Sequence, residues 1–323
     1  MFRNIPTILS AEQLLDQAIR KTKKIVVADP IRKYKIKKEI IARTDSFVQM
    51  ITSQLDSYVK DFPSIDRLHP FYQELIHIRI NTDKLKKSLG AISWASRTVA
   101  QIYSQQQGSL KRTNDLFFLK QKQKEIYGRI SSVVKQIDSH LHFVAGAQKI
   151  IKDFPELLDV PTIVIAGYPN VGKSSLLRRL SKATPKIAQY PFTTQEIHVG
   201  HLDHIVRYQK KTYQIIDTPG LLDRPMNQKN PIEKQAIAAL SHLADMIIFM
   251  IDPTETCGYS LDDQKKLLDR IQKMFHDVPL LLIENKSDLR TTSTLPGVLR
   301  ISCKNNQGIE VLKTNIFTAL EKV

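Results

Sequence analysis

Cysteine is scarce in this sequence, and the two present, Cys257 and Cys303, lie outside any Cys-x-x-Cys spacing. That excludes a disulfide framework or a structural zinc site and suits a reducing compartment. No run approaches the ~18 consecutive apolar residues of a membrane-spanning helix. The opening MFRNIPTILSAEQLL is charged too early, and broken too often, for a signal peptide. The expectation is a soluble, cytoplasmic protein with no membrane partner, nucleolar were the source eukaryotic. Acidic residues are also in deficit, 32 against 48 basic, for a net charge of +16. Residues 1–159 carry 27 basic and 16 acidic residues, whereas 160–323 carry 21 and 16. An excess concentrated on one half points to a polyanion, nucleic acid first. The plain alternative is a solvated basic surface.

What is present divides the chain in two. The length, 323 residues, suits two domains, and 42% hydrophobic content is enough to build a core in each. In the first half, Ser10 and Gln13 read as a capping box before Leu14, Leu15, Ala18 and Ile19 at helical spacing. A second helix is expected over 34–60, ended by Asp61-Phe-Pro63. Pro70 opens another, with Phe71, Leu75, Ile78 and Leu85 on its apolar face. Further helices are expected over 91–106 and, as one long element, from Thr113 to Gly146. The linker Asp153–Pro161 closes this half. Beyond it, short β-branched strands at 162–166, 198–208, 212–217, 246–252 and 280–283 alternate with helices at 173–182, 231–243, 261–275 and 308–321. That alternation implies a largely parallel sheet with helices on both faces. The fold class is therefore α/β: an all-α helical bundle over 1–159 followed by an α/β domain over 160–323.

The chemistry sits in the second half. Gly167-Tyr-Pro-Asn-Val-Gly172-Lys173-Ser174 matches G-x-x-x-x-G-K-[ST] between an expected strand and an expected helix. The backbone amides of Asn170, Val171, Gly172, Lys173, Ser174 and Ser175 would face phosphates at a helix N-terminus. Lys173 would reach the β- and γ-phosphates, and the Ser174 hydroxyl would bind Mg2+. Asp217-Thr-Pro-Gly220 ends a strand: Asp217 is placed for Mg2+, and the Gly220 amide for the γ-phosphate. Asn285-Lys286-Ser-Asp288 follows another strand. A carboxylate at Asp288 accepts from the N1 and N2 donors of guanine, whereas adenine would leave it unsatisfied. Lys286 can lie along the base, and Ser302-Cys303-Lys304 suits a loop near guanine O6. Together these describe a P-loop GTPase domain binding GTP/GDP and Mg2+.

Three readings concern hydrolysis. In Tyr190-Pro-Phe-Thr-Thr194, Thr194 is the expected Mg2+ ligand and switch threonine, with Thr193 second. Leu221 and Leu222 stand where Ras-type proteins carry a water-orienting glutamine, so slow hydrolysis or another catalytic group is expected. Asn170 could coordinate K+ between the phosphates, or could only stabilise the loop turn. The catalytic set is thus Lys173, Thr194 and Asn170.

Taken together, GYPNVGKSS, YPFTT, DTPGLLDRP, NPIEKQAIAALSHLAD and IDPTETCGYSLDDQ resemble the Obg-like GTPases, and more narrowly the nucleolar GTP-binding protein (Nog-type) family in a short, archaeal-like form. The resemblance extends to the opening FRNIPTI and to FPELLDVPTIVIAGYPNVGKSS, and so covers the whole chain. It implies a factor for large ribosomal subunit assembly that binds ribosomal RNA and large-subunit precursors, with no DNA partner. Gln195, Glu284 and Cys303 depart from the family's usual residues. Two rival readings stay open: an RNA-binding protein holding GTP as a structural ligand, and a GTPase acting in RNA modification.

The basic run Arg20–Lys38, with Tyr34 inside it, then reads as an RNA-backbone contact, against the alternative of a solvated helix face. His198, His201 and His204 recur every third residue on a strand. Strand alternation puts His201 on the opposite face from the other two, which argues against a shared metal.

Overall fold

The computed structural model describes residues 2–191, 196–206, 208–222, 231–289 and 295–321. Two compact units emerge, Met1–Arg67 with Arg79–Lys152, and Leu68–Ile78 with Asp153–Val323.

The first unit is helical. Helix α1 (Ala11–Lys23) starts at Ser10, whose side chain accepts from the Gln13 amide while the Gln13 side chain accepts from the Ser10 amide. This is the expected capping box. Helix α2 (Arg32–Lys60) buries Ile40, Phe47, Val48, Ile51 and Leu55 along one stripe and stops at Asp61. Helix α4 (Thr82–Arg112), capped by Asn81, is longer than the expected 91–106, and it carries Leu85 on its own buried face. The long element read over 113–146 is two helices, α5 (Leu116–Gln136) and α6 (Asp138–Lys152), broken at Ile137. The break coincides with a tertiary contact. At the start of α6 the Asp138 carboxylate accepts a 2.8 Å hydrogen bond from the Ala11 amide and so anchors the start of α1. Within this unit α2 packs on α1, α4 and α5, and α4 packs on α6.

Helix α3 (Pro70–Arg79) lies before residue 159, within the half expected to be the helical bundle. The stretch Leu68–Ile78, which holds all of α3 except Arg79, groups with the second unit. There Phe71 is fully buried and its ring lies 6.3 Å from that of Tyr190. The Tyr72 hydroxyl donates to the Pro155 carbonyl at 2.7 Å and accepts from the Leu157 amide at 3.0 Å. Burial pushes the Tyr72 phenol up to about 12.

The second unit is built on a seven-stranded sheet. Its strands are β1 (Thr162–Ala166), β2 (Lys186–Gln189), β3 (Glu196–Val206), β4 (Gln209–Asp217), β5 (Met246–Ile251), β6 (Leu280–Glu284) and β7 (Leu299–Arg300), in the order β2-β3-β4-β1-β5-β6-β7. β1 runs parallel to β4 and β5, and β6 runs parallel to β5 and β7. Only the β2-β3-β4 end is antiparallel. β1 and β5 are buried at every residue, as continuous β-branched runs in a parallel sheet require. Helices α7 (Lys173–Leu180), α8 (Pro231–Ala239), α9 (Leu261–Met274) and α10 (Ile309–Leu320) complete the unit. Leu176, Leu177 and Leu180 of α7 join Ile309, Leu312 and Ile316 of α10 and sheet residues Ile163, Ile215 and Ile248 in one core. Among the described residues no helix is long and apolar enough to cross a membrane.

Candidate functional site

Loops after β1, β4, β5 and β6 meet at the carboxyl edge of the sheet, where ligands bind in open α/β folds. The loop between β1 and α7 curls through three positive-φ residues, Gly167 (142°), Asn170 (63°) and Gly172 (110°). Asparagine tolerates that region better than most side chains. Glycine is required at both other places. A Cβ on Gly167 would sit 2.5 Å from the Met250 carbonyl oxygen, and one on Gly172 would collide with the Asn285 amide. Lys173 is 6% exposed, and its ammonium donates to the Gly167 and Tyr168 carbonyls at 2.8 and 2.9 Å. It therefore holds the loop's curl while standing at the first turn of α7.

Ser174 and Asp217 come together as expected. The Ser174 hydroxyl donates to Asp217 Oδ2 at 2.6 Å, and His198 Nδ1 lies 3.6 Å from the same oxygen. Asp217 is fully buried, and its Oδ1 has no protein partner among the described residues. An orphaned carboxylate oxygen is costly unless something else satisfies it. Paired with a hydroxyl, it fits a hard divalent cation that prefers oxygen ligands, as Mg2+ does. Gly220 has φ 75°, in the turn after β4. Leu221 and Leu222 are buried, so neither side chain reaches water. Thr193, Thr194 and Gln195 lie outside the described residues.

The opposite end is formed by the β6 and β7 loops. The Asn285 side chain donates to the Val171 carbonyl at 2.8 Å and accepts from the Cys303 amide at 3.2 Å. One side chain thus fastens the phosphate loop to the 302–304 loop. The Asp288 carboxylate accepts from the Ser302 hydroxyl at 2.6 Å. That bond, with Lys304 and Lys286 nearby, holds its carboxyl below the ordinary 3.8. Arg179 donates to the carbonyls of Cys303 at 2.8 Å and Lys304 at 3.1 Å. Burial pushes the Cys303 thiol up to about 11, so it stays neutral. A cavity of about 690 Å³ lies between these loops, lined by Asn170, Gly172, Ser175, Lys286, Asp288 and Lys304 among others.

Three features escape sequence reading. Arg179 looks like one more helix charge, yet it secures the 302–304 loop. Asp252, in the loop after β5, is buried beside Lys286. Phe71, in the first half of the chain, reaches Tyr190 at the start of the threonine segment. Glu284 accepts from the Leu295 amide at 3.1 Å and lies 3.6 Å from Arg300, so the unusual residue before Asn285 is engaged away from the cavity. In the helical unit, Arg20, Lys21, Lys23, Lys24, Arg32, Lys33 and Tyr34 are exposed. Lys38 pairs with Asp29 at 2.7 Å, and Lys37 donates to the Lys111 carbonyl and to Asn114. The histidines diverge: His198 faces Asp217, while His204 stacks on Phe317 with ring centroids 3.8 Å apart.

Residues 2–158 match the family model of the NOG1 N-terminal helical domain, and residues 162–286 match that of a 50S ribosome-binding GTPase. An uncharacterized protein of Methanocaldococcus jannaschii is 38% identical over 89% of this chain and 81% of its own length. Nucleolar GTP-binding protein 1 of Drosophila melanogaster is 33% identical over 91% of this chain and 45% of its own, and that of Saccharomyces cerevisiae is 31% identical over 97% and 49%. The chain therefore spans about half the length of these nucleolar relatives. With both family models matched in order, and with a phosphate loop and a guanine-type motif around one cavity, the chain belongs to the NOG1 family of GTP-binding proteins and is a GTPase.

Proposed function

We propose that this GTPase works as a nucleotide-dependent switch in assembly of the large ribosomal subunit, with its basic helical half on ribosomal RNA. One observation carries the nucleotide part of the reading. The Asn285 side chain bonds the phosphate loop at Val171 and the base-side loop at Cys303, so the recognition elements close around a single cavity. In this reading GTP lies with its phosphates at the amides of 170–175 and its base against Lys286 and Asp288. Lys173 turns its ammonium from the loop carbonyls to the β- and γ-phosphates. Ser174 and Asp217 would hold Mg2+, whose positive charge would offset that of the phosphates. Thr194, outside the described residues, would complete that set, and the Gly220 amide would report the γ-phosphate. RNA binding is supported by the exposed basic run of α1 and α2 and by the match of residues 162–286 to a 50S ribosome-binding GTPase family.

A second reading keeps GTP as a structural ligand only. The burial of Leu221 and Leu222 favours it, because no side chain there can orient water. Asn170, exposed at the cavity rim, supports the catalytic alternative, in which K+ takes the place of an arginine finger. Phosphate release by the full chain separates the two, measured in K+ and in Na+, with and without large ribosomal subunits. The switch reading expects stimulation of at least about tenfold by K+ or by subunits, out of the 10³–10⁵ range open to such groups. Lys173→Ala should abolish it together with nucleotide binding, and Asn170→Ala should remove any K+ preference. Binding without stimulation under any condition leaves the structural-ligand reading.

A further inference from the structure

Lys286 follows an unusual course. It has φ 61°, a left-handed backbone that a non-glycine residue adopts only when its surroundings enforce it. Its ammonium lies 2.6 Å from Asp252 Oδ2 and 2.8 Å from the Thr256 hydroxyl. The side chain starts at the end of β6 and finishes at the loop after β5, and Lys286 lines the cavity on the way. An ammonium committed in this manner does not contact phosphate or a base edge. What it presents to the cavity is its hydrocarbon stem.

Asp252 is built to receive it. The residue is fully buried, and its carboxylate also accepts from the Thr254 amide and hydroxyl, the Thr256 hydroxyl and the Cys257 amide. Burial opposes ionisation, but the Lys286 and Thr254 bonds prevail and hold the carboxyl below its ordinary value. Its backbone is clamped from α9: Gln264 accepts from the Asp252 amide at 2.7 Å and donates to the Asp252 and Tyr259 carbonyls at 3.0 Å. In the same loop, Tyr259 stacks on Tyr168 of the phosphate loop, with ring centroids 4.1 Å apart. The loop 252–260 therefore touches both the phosphate end and the base end of the site.

We infer that Asp252 is a positioning residue for nucleotide binding: it fixes Lys286 so that the lysine stem forms a rigid apolar face for the purine ring. This rests on the reading that the cavity takes a guanine nucleotide. The plain alternative is that Asp252 serves only its own turn, through Thr254 and Cys257. A double-mutant cycle separates them, read as the Kd of a fluorescent GDP for the full chain.

Asp252→Asn should weaken GDP binding about tenfold, a coupling within the range for directly interacting side chains. Lys286→Met keeps a stem of similar length but removes the ammonium that Asp252 holds, so it should weaken GDP binding by a similar factor. In the Lys286→Met background, Asp252→Asn should then cost almost nothing. IDP should lose as much as GDP, because the stem meets the ring face and not its edge. Should Asp252→Asn fail to fold, Thr256→Val removes only the second tie to the ammonium. It should give a smaller loss that also vanishes beside Lys286→Met. An equal cost in both backgrounds, or no cost in either, overturns the inference while leaving the guanine site intact. Absence of GDP binding by the unmodified chain defeats both.

Discussion

At Asp288 the carboxylate accepts from Ser302 and lies in the field of Lys304 and Lys286, so it remains ionised below the ordinary 3.8. A depressed acid contributes its charged-state interaction above its ordinary pKa and loses it only as pH falls through the depressed value. Affinity for GDP should accordingly stay level from pH 8 down to pH 5. Ser302→Ala removes the largest cause and should bring the acid limb of the binding profile to higher pH. Asp288→Asn exchanges an acceptor for a mixed group. Loss of hydrogen bonds to a charged group costs about 1.5–3 kcal/mol, so guanine affinity should fall roughly 10- to 150-fold while xanthine nucleotides gain. Competition titrations with GDP and XDP across that pH range check both. Asp288 and Lys173 were readable from sequence because their spacing is tied to one ligand chemistry. Asp252 was not, because Asp252-Pro-Thr-Glu-Thr256 reads as an ordinary polar turn until its neighbour Lys286, in the loop after β6, is known.

Single elements show the same division. Buried parallel strands announce themselves as β-branched runs, and β1, β5 and β6 fall where the sequence puts them. The separation of α5 from α6 is silent in sequence, since no proline or glycine marks Ile137 and the contact at the break joins Asp138 to Ala11, far away in the chain. Helix α3 is harder still. Its apolar spacing was correctly read as helical, but spacing says nothing about which neighbour covers the apolar face. Phe71 is fully buried in the GTPase unit, beside Tyr190. Phe71→Ala should destabilise that unit by about 3–5 kcal/mol, the usual cost of emptying a buried phenylalanine site. Urea unfolding followed by nucleotide release measures it. A loss confined to the helical unit, with nucleotide retention unchanged, would contradict the grouping of α3.

Charge is a property of the whole molecule, and the excess on residues 1–159 was legible as a total before any motif was read. The structure refines it. Lys37 and Lys38 are engaged within the helical unit, whereas Arg32 and Lys33 are exposed. For single-stranded RNA each neutralised phosphate contributes about −0.7 to the slope of log K against log salt. Replacing both Arg32 and Lys33 by Ala should therefore lower the slope magnitude by about 1.4 in filter-binding titrations of the full chain, and an unchanged slope would place the RNA elsewhere.

The interleaving of the two units also bears on how the chain is made. Leu68–Ile78 belongs to the GTPase unit but leaves the ribosome amid the helical one. Phe71, Tyr72, Leu75 and Ile76 are all buried in the finished protein, yet Phe154 and Tyr190, the ring partners of Tyr72 and Phe71, are synthesised roughly eighty and a hundred and twenty residues later. During that interval the nascent chain carries an apolar helix that groups with the later unit. The second unit thus gathers its helix from the first half of the chain, and its folding is tied to the order of synthesis.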